Sequence, residues 1–185
     1  MKTAALMTAT ICSLLALSAC EKKPATNQTT PPTKTSAAPA GAPAGALPGE
    51  LFLTAAPADA KPVKQAKQSV KVGDTVAVVG RVGGSRKPFM EDRAVFTLMD
   101  PELPACSDNP DDGCKYPWDY CCEKKEDIAA SAATIQVVDA AGIPLRVGLK
   151  GEHGLKELSR LTVVGKVTQL DGPTMVISAT GIHIN

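Results

Sequence analysis

The sequence predicts a mostly β domain, a small barrel with one short helix that carries a cysteine-rich insertion and hangs on a disordered N-terminal tether. Three observations predict it. Apolar, β-branched runs of strand length recur through residues 70–185, separated by glycine-containing turns. Four of the six cysteines and three of the six aromatic residues fall together within 101–132. Residues 21–69 hold eight prolines and twelve alanines with no helical or alternating apolar period, a composition that buries too little area to offset its ordering entropy.

The strands follow in order. Residues 75–82 are apolar and β-branched and end in Gly83-Gly84. Residues 94–100 alternate, with Val95, Thr97 and Met99 on one face and Phe96 and Leu98 on the other. Residues 134–139 and 145–150 read as two more strands around the Ala140-Ala141-Gly142 turn. Residues 154–160 have room for two helical turns. Residues 161–169 and 174–184 close the domain through Asp171-Gly172, a strong hairpin signal. Val78-Val79-Gly80-Arg81-Val82 is echoed by Val163-Val164-Gly165-Lys166-Val167. In both, glycine interrupts a strand where a barrel bends or bulges, although the motif is also a common strand composition.

This order of strands, short helix and closing hairpin resembles the OB-fold, a small Greek-key barrel. The resemblance spans 70–184 and implies that the first and fourth strands are neighbours. It departs from that plan by one extra strand and by the insertion. An immunoglobulin-like sandwich would want more strands and no helix in mid-domain.

The N-terminus carries a second resemblance. Lys2 precedes an apolar run from Ala4 to Ala16, too short to span a bilayer, and Leu17-Ser18-Ala19-Cys20 follows. This resembles the lipobox of bacterial envelope lipoproteins. It implies a signal peptide over 1–19, cleavage before Cys20, and acylation of Cys20 by a diacylglyceryl group plus an amide-linked chain of the palmitate class. Several acyl chains hold a protein on a membrane where one does not. Glu21, in place of the Asp that often retains such proteins in the inner membrane, leans toward the outer membrane where there are two. The expected organisation is signal 1–19, lipidated Cys20 and tether 20–69, and a head over 70–185. As a coil the tether spans roughly 40 Å. Leu51-Phe52-Leu53 is its single apolar cluster, either docked on the head or a local kink.

Charge narrows the partners. The tether carries six lysines against three acids, whereas the head carries 13 basic and 16 acidic residues, net −3. Residues 100–127 alone hold nine acids and three lysines. Nucleic-acid binding needs a basic face, so this head and an extracytoplasmic address both argue against it.

Cys106, Cys114, Cys121 and Cys122 are the cysteines left after the signal and Cys20. In an oxidising compartment an even number reads first as disulfides. Adjacent Cys121 and Cys122 are poor partners, with Cα atoms about 3.8 Å apart. That leaves Cys106–Cys121 with Cys114–Cys122, or Cys106–Cys122 with Cys114–Cys121. The alternative is a metal or redox site, with Asp108, Asp111, Asp112 and Asp119 nearby. The spacing C-x7-C-x6-C-C lacks the paired pattern of zinc knuckles, and adjacent cysteines are expected to diverge. A calcium loop over 108–119 places Gly113 at the sixth position, but Pro110 removes a ligand. Tyr116, Trp118 and Tyr120, stiffened by Pro117, form either a recognition patch or a mini-core under the loop.

Arg86, Lys87 and Phe89, between the first two strands, lie where OB-folds often bind ligands; the other reading is a solvated turn. His153 and His183 have no partner motif, and His183 is expected to face solvent. Among catalytic and cofactor signatures there is no nucleophile elbow, phosphate loop or zinc-protease motif. The expectation is a non-catalytic binding or adaptor module, without cofactor or resident metal, that is anchored by lipid in the cell envelope. Its ligand would be an envelope protein, peptide or glycan. The rivals are a metal-binding or redox protein using the four cysteines, and a single-strand nucleic-acid binder using Arg81, Arg86, Lys87 and Lys166.

Overall fold

The structure is a computed structural model in which residues 45–185 are described. The expected signal peptide, Cys20 and the first half of the expected tether lie outside the described residues. Within 45–185 the chain forms β1 (Lys61–Pro62), α1 (Val63–Ser69), β2 (Thr75–Val82), β3 (Val95–Met99), α2 (Lys125–Ser131), β4 (Ala132–Gln136), β5 (Arg160–Asp171) and β6 (Thr174–Ile184). None of these helices is long and apolar enough to cross a membrane.

The five longer strands close a barrel. β2 pairs with β3, β3 with β4, β4 in parallel with β6, β6 with β5, and β5 returns to β2 over Thr75–Arg81. The first and fourth barrel strands are therefore neighbours, and the third runs parallel to the fifth. That is the OB-like Greek key expected of the sequence. Alternation does the sorting: Val76, Val78 and Val82, Phe96 and Leu98, and Ile135 and Ile177 are buried toward one core. β5 and β6 shift register at Val164/Gly165, so the echoed glycine sits at a bulge. A Cβ at Gly80 would approach Leu98 Cγ to 2.6 Å, and one at Gly165 would meet the Ser178 carbonyl. The echo therefore marks two places where strands pass too closely for a side chain.

Three expectations are corrected. Residues 145–150 form no strand, only a Val138–Pro144 bridge and hydrogen bonds of Leu145 to Val137 and Ala94. Pro144 has no N–H to extend the ladder. The helix expected at 154–160 is a 3-10 turn at Glu152–Gly154, because His153 (φ 48°) and Leu158 (φ 62°) sit in the left-handed region. A helix does occur, as α2, on the entry to β4, with Glu126 and Asp127 in its first turn.

The third correction concerns the boundary at residue 70. β2 and β3 pair only at Arg81 and Val82, which leaves the earlier edge of β2 uncovered by β3. β1 pairs with that edge at Val78 and Val79, and α1 buries Val63 and Ala66 completely. Leu51 is buried too, and Leu51-Phe52-Leu53 docks along Ile182 through hydrogen bonds of 2.7 and 2.8 Å. Residues 45–69 thus belong to the domain. The overlooked signal is local: Val63, Ala66 and Val70 follow helical spacing directly after Pro62. Lys67 ties the parts together by donating to the Ala129 carbonyl (2.9 Å) and the Pro173 carbonyl (2.6 Å). Burial pushes its ammonium down to about 8.

Candidate functional site

The insertion is bolted to the barrel at the end of β2. Arg81, almost wholly buried, gives a two-pronged hydrogen bond to Asp108 at 2.9 and 2.7 Å. Asp108 also accepts from the Ala105 N–H at 2.9 Å. The Arg81 guanidinium holds the Asp108 carboxyl at about 2. Beside this pair lies a second small core of Met99, Ala105 and Tyr120, against which Leu103, Ile128, Ala132 and Leu158 pack. Tyr120 turns into it in a left-handed conformation (φ 58°) and is fully buried, its hydroxyl without a hydrogen-bond partner. It therefore leaves the set of exposed binding candidates and belongs to the mini-core. Arg81 is likewise inside and engaged, so it offers nothing to a phosphate backbone.

Trp118 latches the insertion to the loop after β2. Its carbonyl accepts from the Gly84 N–H (2.8 Å) and its indole N–H donates to the Arg86 carbonyl (3.2 Å). Gly83 makes the approach possible: a Cβ there would lie 2.7 Å from the Trp118 carbonyl and 2.8 Å from the Tyr120 ring. Tyr116 packs edge-on against Trp118 with ring centroids 6.0 Å apart, and the Arg86 guanidinium lies 5.7 Å from the Tyr116 centroid.

Two candidate groups separated by about thirty residues in the sequence thereby meet. Arg86, Lys87 and Phe89 from one loop and Tyr116 and Trp118 from the insertion line one cleft of about 550 Å³, with Lys150 and Glu157 at its edge. Phe89 is buried, its ring 5.8 Å from that of Phe96, so it forms part of the wall instead of a free stacking platform. Every cation in the cleft faces an acid: Arg86 to Asp119 at 3.9 Å, Lys87 to Glu91 at 3.2 Å and Lys150 to Glu157 at 2.6 Å. A more open hollow of about 820 Å³ shares Lys87, Phe89 and Glu91 and continues toward Arg93 and Arg146.

The cysteines cluster on the insertion beside Asp119, the same acid that faces Arg86. Cys106 opens a 3-10 turn and is buried, while Cys121 and Cys122 are exposed. Neither expected disulfide set is formed: all four are free thiols, with Cys121 Sγ 3.1 Å from Cys114 and 3.7 Å from Cys106. Cys121 stands between two partners, so the sulfurs share one volume instead of dividing into two pairs. All four Sγ atoms lie within 4.8 Å of one another. The divergence expected of adjacent Cys121 and Cys122 is thus overcome, with Tyr120 in a left-handed conformation just before them. Asp112 accepts from Cys122 Sγ at 3.2 Å and from the Cys114 N–H at 3.0 Å. Its carboxylate pushes the Cys122 thiol up to about 12 and the Cys114 thiol higher still. The same contacts, Cys114 first, hold Asp112 below the usual carboxylate range. Asp119 accepts from the Cys121 N–H at 3.0 Å and lies 3.8 Å from Cys106 Sγ.

The histidines stand apart from both features. His153 stacks on Phe52 at 4.2 Å. His183, expected in solvent, is half-buried with Nδ1 3.1 Å from the Leu53 carbonyl, because the docked 51–53 segment covers it. Lys166 is exposed on β5. Comparison with models of known protein families, with curated proteins and with solved structures finds no match, so the OB-like barrel and the two juxtapositions on its insertion are what a functional reading rests on.

Proposed function

We propose that the chain is a lipid-anchored, extracytoplasmic binding module whose cleft between the β2–β3 loop and the insertion takes a glycan of the cell envelope. The observation that carries the reading is the convergence of Arg86, Lys87 and Phe89 with Tyr116 and Trp118 in one cleft of about 550 Å³. Half-exposed aromatic rings with a few polar groups around them are the usual make-up of a small-ligand site. Pairing of Arg86, Lys87 and Lys150 with acids leaves no unbalanced positive charge, which favours a hydroxyl-rich, uncharged ligand over a polyanion. The lipobox-like Leu17-Ser18-Ala19-Cys20 supplies the address, and the proline-rich segment after it the reach.

Trp118 is the only tryptophan, so intrinsic fluorescence reports on the cleft directly. Titration with soluble fragments of envelope polysaccharide is expected to give a saturable change in Trp118 emission, and titration with short envelope peptides none. Trp118→Ala and Tyr116→Ala are each expected to weaken binding, read by calorimetry, about tenfold or more. Silence toward polysaccharide, or binding indifferent to both substitutions, would reject the cleft as the glycan site.

A further inference from the structure

We propose that Cys106, Cys114, Cys121 and Cys122 form a mononuclear four-thiolate site for zinc(II). Four sulfurs within 4.8 Å of one another, with separations down to 3.1 Å, enclose the volume of one ion. Zinc with four thiolates is tetrahedral with bonds of about 2.3 Å, which sets ideal sulfur separations of about 3.8 Å. The 3.7 Å between Cys106 and Cys121 already matches that edge. An iron–sulfur cubane holds its thiolates around a larger cluster, and four sulfurs exceed the two or three that copper(I) prefers.

The surroundings give the ion a structural task. The insertion's own core is only Met99, Ala105 and Tyr120 with their neighbours, too few apolar groups to order thirty residues unaided. The four cysteines come from the 3-10 turn at Cys106, the loop at Cys114 and the turn at 121–122. One ion would therefore join both ends of the segment that holds Tyr116 and Trp118. Coordination involves no oxidation: each thiol releases its proton to solvent and each sulfur donates a lone pair. Asp112 and Asp119 keep their acceptor role through the Cys114 and Cys121 backbone N–H groups. The proposal does not depend on the glycan reading.

The test uses the chain from residue 21 onward, in which Cys106, Cys114, Cys121 and Cys122 are the only cysteines, and zinc itself. After equilibration with one equivalent of zinc, native mass is expected to exceed denatured mass by one zinc ion, and the denatured chain to retain the hydrogens of four thiols. Replacement by cobalt(II) should give the charge-transfer and ligand-field bands of a tetrahedral tetrathiolate, bleached by zinc. Cys122→Ser and Cys114→Ser, both away from the barrel core, should each lower zinc affinity about 100-fold or more, beyond the usual cost of losing a supporting group. Their far-UV circular dichroism should keep the barrel signature, which separates loss of a ligand from loss of the fold. A denatured chain four hydrogens lighter and metal-free would mean two disulfides and overturn the site. Four free thiols that leave zinc unbound would overturn it equally, and preference for iron over zinc in competition would overturn the choice of ion.

Discussion

Arg81 and Asp108 meet where the barrel ends and the insertion begins, and their energetics are asymmetric. Arg81 is buried, whereas the Asp108 side chain is 41 % exposed, so water screens part of the attraction. Asp108→Asn is expected to cost roughly 1–2 kcal/mol, the worth of a charged hydrogen bond discounted for that exposure. The pH dependence has a definite sign. The folded-state value is lowered from 3.8 to about 2, so the contribution is fully present above the unfolded value and is lost as pH falls through the folded one. Urea melts at pH 7 and pH 3 should show the parent losing part of its advantage over Asp108→Asn at the lower pH. Equal differences at both would exclude the ion pair as the source. Nothing in the sequence singled out this pair. Arg81 reads as a surface cation within a strand motif, and Asp108 is one acid among nine in 100–127.

At the scale of elements, the fold depends on a segment that composition alone would discard. β1 covers the edge of β2 that β3 leaves unpaired, and α1 and the 51–53 segment close the core beside it. Asp100, buried at the end of β3, accepts from the Lys64 N–H at 2.6 Å and from the Glu102 N–H at 2.9 Å, so α1 and the start of the insertion share one anchor. Deletion of residues 45–69 removes Leu51 and Val63 from the core, about 3–6 kcal/mol of burial at 1.5–3 kcal/mol each. That is a large part of the stability of an ordinary domain. A chain starting at residue 70 is therefore expected to give no cooperative thermal transition near that of one starting at residue 45. Matching transitions would show that 45–69 is dispensable.

For the whole molecule, the proposed lipid anchor at Cys20 would hold near a membrane a barrel that presents a cleft on its insertion. Several acyl chains confer anchoring that a protein without them lacks. Cys20→Ser is expected to move the protein from the membrane fraction to the soluble fraction and to abolish incorporation of labelled palmitate, with the melting temperature of the domain unchanged. Retention in membranes after this change would point to a different anchor.

The part of the fold legible along the chain is the part that local physics dictates. Strand periodicity placed β2 at residues 75–82 and β6 at 174–184, and turn chemistry placed the hairpin at Asp171-Gly172, as the structure has them. The echoed Gly165 sits at a bulge, as its place in the strand motif implied, and element order foretold the Greek key. Tertiary structure alone decided the rest, because the deciding contacts join residues far apart in the chain. Tyr116, Trp118 and Tyr120 alternate in sequence, yet the left-handed turn at Tyr120 sends that ring into the core while the other two face the cleft. The cysteine spacing fits no zinc pattern, since that pattern presumes short loops holding each pair. Here a 3-10 turn, a loop and a tight turn, docked on Gly83 and Arg81, bring the four sulfurs together. Spacing along a chain specifies a site only when the backbone between its residues is itself local, and in this insertion the barrel supplies that backbone's support.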